Sequence, residues 1–281
     1  MDEKENELIK KLDERLAKGE ISEELYDEIV SRYKKEEEKE EVTDVGEDVK
    51  VEIEDLEEKK KEKTGEKKTK RVNISGASKI DGCNCEIFKA AGASKVNGDM
   101  KADDANVSGA TKINGNVYVG KLDSSGSLKV NGKTEGKELD LSGSSKFKND
   151  VTVDDINFSG SFKIKGNVEC DIIEGSGSTN ISDILKGKEI MLKTSGKSKI
   201  KKIEGGDIVV ESNGTGFFFG LGRSGSLEVE SISGDDIYLE DTKAAEVSGK
   251  KVKIGSGCKI KKVKAEELKV HESAKVENKM G

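Results

Sequence analysis

The 281 residues are 32% apolar and 38% charged, too little hydrophobic material for one large globular core. With 32 glycines, no proline or tryptophan and only 4% aromatic residues, the chain favours many tight bends and small interior side chains, hence repetition over bulk packing. The net charge of −7 arises from 50 basic and 57 acidic residues mixed along the chain, so no large basic field is expected, which argues against nucleic acid as a partner.

Leu8, Leu12 and Leu16 recur every four residues and predict one face of a helix, which Lys18-Gly19-Glu20 then stops. Ser22 caps a second helix whose first turn holds Glu23 and Glu24, with Leu25, Ile29 and Tyr33 facing the partner. Residues 1–34 are therefore expected to form a helical hairpin. The leucine-rich helix, Gly-x-Ile turn and acidic second helix over Leu16 to Leu25 resemble the SHOCT-type helical module. That resemblance implies oligomerisation or attachment to protein partners through the hairpin.

Residues 35–70 are charged almost throughout and predict a flexible tether. Val49 to Leu56 alternate apolar and polar residues and are the one stretch of it suited to pair as a strand.

From residue 71 to 281 the chain repeats. Ser-Gly pairs at Gly76, Gly109, Gly126, Gly143, Gly160 and Gly177, with Gly92 filling the missing place, are spaced 16 residues once and 17 thereafter. Four residues before each glycine stand Val72, Phe88, Ala105, Leu122, Leu139, Ile156 and Ile173; four after it stand Ile80, Val96, Ile113, Val130, Phe147, Ile164 and Ile181. Two more columns include Met100, Val117, Val151, Val168 and Leu185. Apolar positions two apart, separated by glycine or asparagine bends, predict coils of two or three short strands. One such coil cannot bury its apolar face, whereas stacked coils pile like side chains into a column. The expected fold is an all-β solenoid, a parallel β-helix of about a dozen coils and on the order of 55 Å long. An insertion at 211–226 interrupts it and carries Phe217, Phe218, Phe219 and Leu221. A coil interior takes only alternate residues, so these side chains need another home, either sealing the solenoid or contacting a protein or membrane.

Catalytic and metal chemistry find little support. His271 is the only histidine, follows Val270 in a strand and should point outward, so neither a histidine-based triad nor a histidine cage can form within one chain. Cys83 and Cys85 lack a second pair to complete a metal site, and their spacing of two matches inward strand positions; Cys170 falls in a similar slot. The four cysteines fit a reducing compartment. A 17-residue coil with uneven gaps differs from the 18-residue hexapeptide rhythm of β-helical acyltransferases. Polysaccharide lyases need arginine and acidic clusters, yet Arg71 and Arg223 are the only arginines of the repeat. No enzyme activity and no cofactor are expected. The Asn-x-Ser/Thr triplets at Asn73, Asn106 and Asn157 share one place in the repeat and are read as coil consensus. No segment has the roughly 20 apolar residues of a membrane span, and Met1 to Lys11 lacks signal-peptide order, so a cytoplasmic location is expected, with membrane contact at most peripheral.

Val72 to Gly82 (Val-Asn-Ile-Ser-Gly-Ala-Ser-Lys-Ile-Asp-Gly), its near copy Ala105 to Gly115, the run Gly234 to Ala244 and Val252 to Ile260 resemble the polymer-forming bactofilin family over about residues 71–276. The resemblance implies a right-handed parallel β-helix that joins end to end into filaments without nucleotide and serves as a scaffold for envelope or positioning machinery. Independently, the end coils of any solenoid leave backbone groups and apolar columns uncovered. Val72 and Ile74 at one end, and Leu268, Val270 and Val276 at the other, are the expected self-association residues. The rival reading is a non-polymerising rigid adaptor that binds a protein through Phe217 to Leu221.

Overall fold

The structure is a computed structural model that describes residues 51–54, 68–213 and 225–280. The expected hairpin, most of the tether and residues 214–224 lie outside the described residues.

Among the described residues fourteen strands follow one another in sheet order as in sequence, so neighbouring coils are neighbours in space. They are β1 (Val51–Glu54), β2 (Thr69–Ile80), β3 (Cys83–Val96), β4 (Met100–Ile113), β5 (Val117–Val130), β6 (Thr134–Phe147) and β7 (Val151–Ile164). Then come β8 (Val168–Glu169), β9 (Ile172–Thr194), β10 (Lys197–Ser212), β11 (Ser226–Leu239), β12 (Thr242–Ile254), β13 (Lys259–Val270) and β14 (Lys275–Met280). All pairings from β2 onward are parallel.

The apolar columns stack as the sequence requires. Ile80, Val96, Ile113, Val130, Phe147, Ile164 and Ile181 lie over one another. The column continues through Ile200, Val229, Ala244, Ile260 and Val276, which gives a parallel solenoid of about twelve coils. Val72 to Ile173 form a second buried column. At about 1.5–3 kcal/mol for each fully buried aliphatic side chain, stacking supplies what a lone coil lacks.

Each coil bends where its sequence provides for it. The glycine column from Gly76 to Gly177 holds positive φ throughout. At Gly109, with φ of 105°, a Cβ would also sit 2.5 Å from the Gly92 carbonyl oxygen, so the bend and the close layer spacing both require glycine. A second corner is an amide ladder in which Asn131 Nδ2 donates to Asn114 Oδ1 (2.8 Å), Asn114 Nδ2 to Asn97 Oδ1 (3.3 Å) and Asn97 Nδ2 to Asp81 Oδ1 (3.2 Å). Stacked amides satisfy one another where the backbone turns.

The spacing of about 17 residues holds through Ile181 and loosens beyond it: from Ile200 the asparagine corner shrinks to one unpaired residue between paired ones, as Lys201 between Ile200 and Lys202. Later coils accordingly advance 15 or 16 residues, as Val229 to Ala244 and Ala244 to Ile260. The interior is also not purely aliphatic. Ser78, Ser94, Thr111, Ser145, Thr179, Ser198 and Thr242 are buried in one inward column, between the glycine bend and the Ile80 column. The core also holds Phe147, Phe158 and Phe162, with Phe158 stacked on Phe162 at 4.8 Å and Phe147 edge-on to Phe162 at 6.0 Å.

Candidate functional site

The two ends of the solenoid differ. At the N-terminal end β1 pairs antiparallel with β2, Val51 opposite Ile74 and Glu54 opposite Arg71. The alternating stretch within the expected tether thus supplies a strand, and it covers the edge at the two residues expected to be adhesive. Val72 and Ile74 are buried, at 5% and 2% exposure, so neither offers a free surface. The backbone demand of an uncovered edge explains the correction: the nearest alternating segment of the same chain satisfies it. Among the described residues β1 reaches no further along β2 than Ile74, and Ile80 beyond it is only half-buried.

At the C-terminal end β14 pairs with β13 over Lys259 to Lys264 alone. Among the described residues no strand lies on the outer side of Ala265 to Val270. Leu268, Val270 and Val276 are half-buried and pack against the core from one side only, and Met280 is 48% exposed. This is an apolar column with its next layer missing.

Phe217, Phe218, Phe219 and Leu221 lie outside the described residues. The neck of their insertion is narrower than expected: β10 runs to Ser212 and β11 begins at Ser226. The Ser212 hydroxyl donates to the Gly225 carbonyl (3.2 Å), and the Asn213 N–H donates to the Thr194 carbonyl (2.8 Å), so the insertion leaves and rejoins at one point. Beside the neck the Tyr238 hydroxyl donates to Glu240, and Lys253 sits 4.8 Å over the Tyr238 ring. The hydrogen bond to Glu240, with burial second, pushes the Tyr238 phenol up to about 12.

No family model matches the chain. No solved structure matches it either. A 63-residue stretch is 43% identical to the uncharacterized protein YhbF of Bacillus subtilis (strain 168). That stretch is 22% of this chain and spans about a quarter, 26%, of the YhbF length.

The remaining sequence candidates fall on the solenoid wall or inside it. Cys85, Cys170 and Cys258 are buried and Cys83 is half-buried, all four as free thiols. The hydrogen bond with Cys85, then burial, pushes the Cys83 thiol well above its ordinary range. Burial pushes Cys170 up to about 12 and Cys258 up to about 11. His271 is exposed and its Nδ1 lies 2.9 Å from the Ser273 hydroxyl. Among the described residues no helix is long and apolar enough to cross a membrane.

One feature absent from the expectations is a column of lysines. Immediately before each member of the Ile80 column stands an outward residue, and these are Lys79, Lys95, Lys112, Lys129, Lys146, Lys163, Asn180, Lys199, Glu228, Lys243, Lys259 and Lys275. Ten of twelve positions are lysine, and Glu228 is the single acid. The Lys243 to Glu228 contact of 3.9 Å is the only ion pair within the column among the described residues. Other outward columns mix their charges: Lys121 alone reaches Glu138 (2.9 Å), Asp140 (2.8 Å) and Asp123 (3.7 Å). The expectation of no basic field is therefore corrected. The charges are mixed in sequence but sorted by register, because a step of one coil returns each lysine to the same azimuth. The Ser/Thr-Lys-aliphatic triplet, seen in Ser78-Lys79-Ile80, Ser94-Lys95-Val96 and Thr111-Lys112-Ile113, was the available signal.

Proposed function

We propose that this chain is a non-enzymatic, self-associating scaffold of the bactofilin type, a right-handed solenoid whose copies join end to end without nucleotide. The observation that carries the reading is the last described layer, where, among the described residues, Leu268, Val270 and Val276 are covered on one side only and Ala265 to Val270 carry no outer strand. A second copy completes both the hydrogen-bond ladder and the apolar column at once. Since β1 covers Arg71 to Ile74, the C-terminal end is the more adhesive of the two. Contact between two C-terminal ends is isologous, and a filament then needs the remaining β2 edge toward Ile80 for its second joint. The sequence resemblance supports the same reading, and the proposal extends to a cytoplasmic location and to protein partners recruited through residues 1–34.

Electron microscopy and sedimentation of the full chain across a concentration series test the proposal. Filaments or dimers that grow with concentration are expected. Val270→Glu places a charge in the contact and should abolish assembly while leaving the circular dichroism of the solenoid unchanged. A wild-type chain that stays monomeric at the highest concentration defeats the proposal, as does undiminished assembly of the Val270→Glu variant.

A further inference from the structure

The lysine column costs the fold stability and is not needed to hold it together. Like charges directly opposite on paired strands repel. Six of them, from Lys79 to Lys163, stack without interruption and without an ion pair among the described residues. Solubility does not require this, since other outward columns achieve it with mixed signs, as Asp104, Lys121, Glu138 and Asp155 do. The crowding registers on a bystander. Lys129 first, then withdrawal from water, then Lys112, Lys146 and Lys165, hold the Lys148 ammonium below its ordinary pKa.

The geometry narrows the partner. The column presents one position per coil, and its twelve positions extend on the order of 50 Å along the solenoid. At its middle it opens into a recess of about 440 Å³ where five lysines, Lys146, Lys163, Lys165, Lys199 and Lys201, outnumber the single acid Glu230, with Asn180, Ser182, Ile164 and Ile181 completing the lining. Of these lysines only Lys201 has an ion-pair partner among the described residues, Asp183 at 3.7 Å. A single-file track suits a linear polyanion, whereas a bilayer presents a plane of headgroups that cannot enter a recess. Among the described residues the exposed large apolar side chains, Tyr118, Ile172 and Met280, are not in the column, so none of these serves beside it as a membrane anchor. Base-reading chemistry is missing as well: the column carries neither arginine nor an aromatic ring on which a base could stack. Of the acids among the described residues, Asp123, Glu138 and Asp140 are already engaged by Lys121 within the same copy.

We propose that the lysine column is a binding track for a linear phosphate-rich polymer without bases, laid along the solenoid axis and anchored in the recess at Lys146, Lys163 and Lys199. Binding is by ammonium to phosphate contact with release of counterions, so it weakens steeply with salt. The inference does not rest on self-association, although end-to-end joining would lengthen the track.

Long-chain inorganic polyphosphate is the probe, titrated into the full chain by calorimetry at several salt concentrations. Binding is expected to weaken by a factor of about ten or more between about 50 and about 200 mM salt. The triple variant Lys112→Gln, Lys129→Gln, Lys146→Gln is expected to lose about tenfold or more in affinity while unfolding no more easily than wild type. A control triple of Lys186→Gln, Lys188→Gln and Lys250→Gln removes three lysines that are ion-paired elsewhere and is expected to bind normally. Absence of polyphosphate binding, or equal losses in both triples, overturns the proposal. So does equal or tighter binding of a poly(dT) oligonucleotide or of vesicles of phosphatidylglycerol and phosphatidylcholine, which assigns the track to another class of polyanion.

Discussion

Charge reversal within the lysine column should stabilise the protein, an uncommon direction for a single substitution. Lys112 lies between Lys95 and Lys129 in the register, and all three are half-exposed. Stacked positions are on the order of 5 Å apart, and two unit charges at that distance in water interact by about 0.8 kcal/mol. Lys112→Glu turns two repulsions into two attractions, a swing of about 3 kcal/mol as an upper bound. Splaying of the long side chains and a Debye length of about 8 Å at physiological salt bring the expected gain to about 1–2 kcal/mol. Urea denaturation followed by circular dichroism reads the midpoint at low salt and at about 1 M salt, where screening over about 3 Å should erase most of the gain. Lys186→Glu, which breaks the 2.9 Å pair with Glu169, should move the midpoint slightly the other way. A midpoint that falls for Lys112→Glu, or a gain that survives high salt, would refute the stacked register of the lysines.

Three further outcomes follow from the geometry. Gly126 has a φ of 137° and a Cβ there would lie 2.4 Å from the Gly109 carbonyl oxygen, so Gly126→Ala should cost about 1–3 kcal/mol and speed hydrogen exchange first in β4 and β5. With its phenol raised to about 12, Tyr238 keeps a proton that the unfolded chain releases near 10; its stabilising contribution is complete below pH 10 and fades between about 10 and 12, and Tyr238→Phe should flatten the stability profile in that window. Cys170 and Cys258, raised to about 12 and about 11 mainly by burial, should resist a thiol reagent at pH 8 in the native protein and react on denaturation; rapid native labelling of both would contradict their inward placement.

The core was legible in the sequence because its signal is local and repeated. Ile80, Val96 and Ile113 each stand four residues after a bend glycine, and the bend needs glycine for its positive φ, so counting from the glycines recovers the layers. The later coils were less legible. Past Gly177 the bend glycine is not kept in every coil and the asparagine corner disappears, so the counting marks vanish although stacking continues through Val229, Ala244 and Ile260. The pairing of β1 was legible only as an alternating pattern. Its partner was not, because an edge accepts whichever strand reaches it, and sequence does not say which edge is near. A place in the first coil predicts an adhesive Val72 and Ile74, whereas β1 pairs along that edge and both are buried.

The lysine column follows from the same counting, applied one residue earlier. An inward position in a solenoid must be apolar or small to pack, so Ile80, Val96 and Ile113 are explained by the fold alone. An outward position carries no such requirement, and any polar residue keeps the wall wet. Regularity there, at ten lysines in twelve layers, therefore carries information that regularity inside does not. Coil duplication alone would copy each outward column as faithfully as the next, yet the column three residues before the bend runs Asn73, Lys89, Asn106, Asp123, Asp140, Asn157 and Glu174, changing sign and type from layer to layer. Two outward columns built from the same coils, one drifting and one held against electrostatic cost, separate what stacking permits from what a ligand of opposite charge requires.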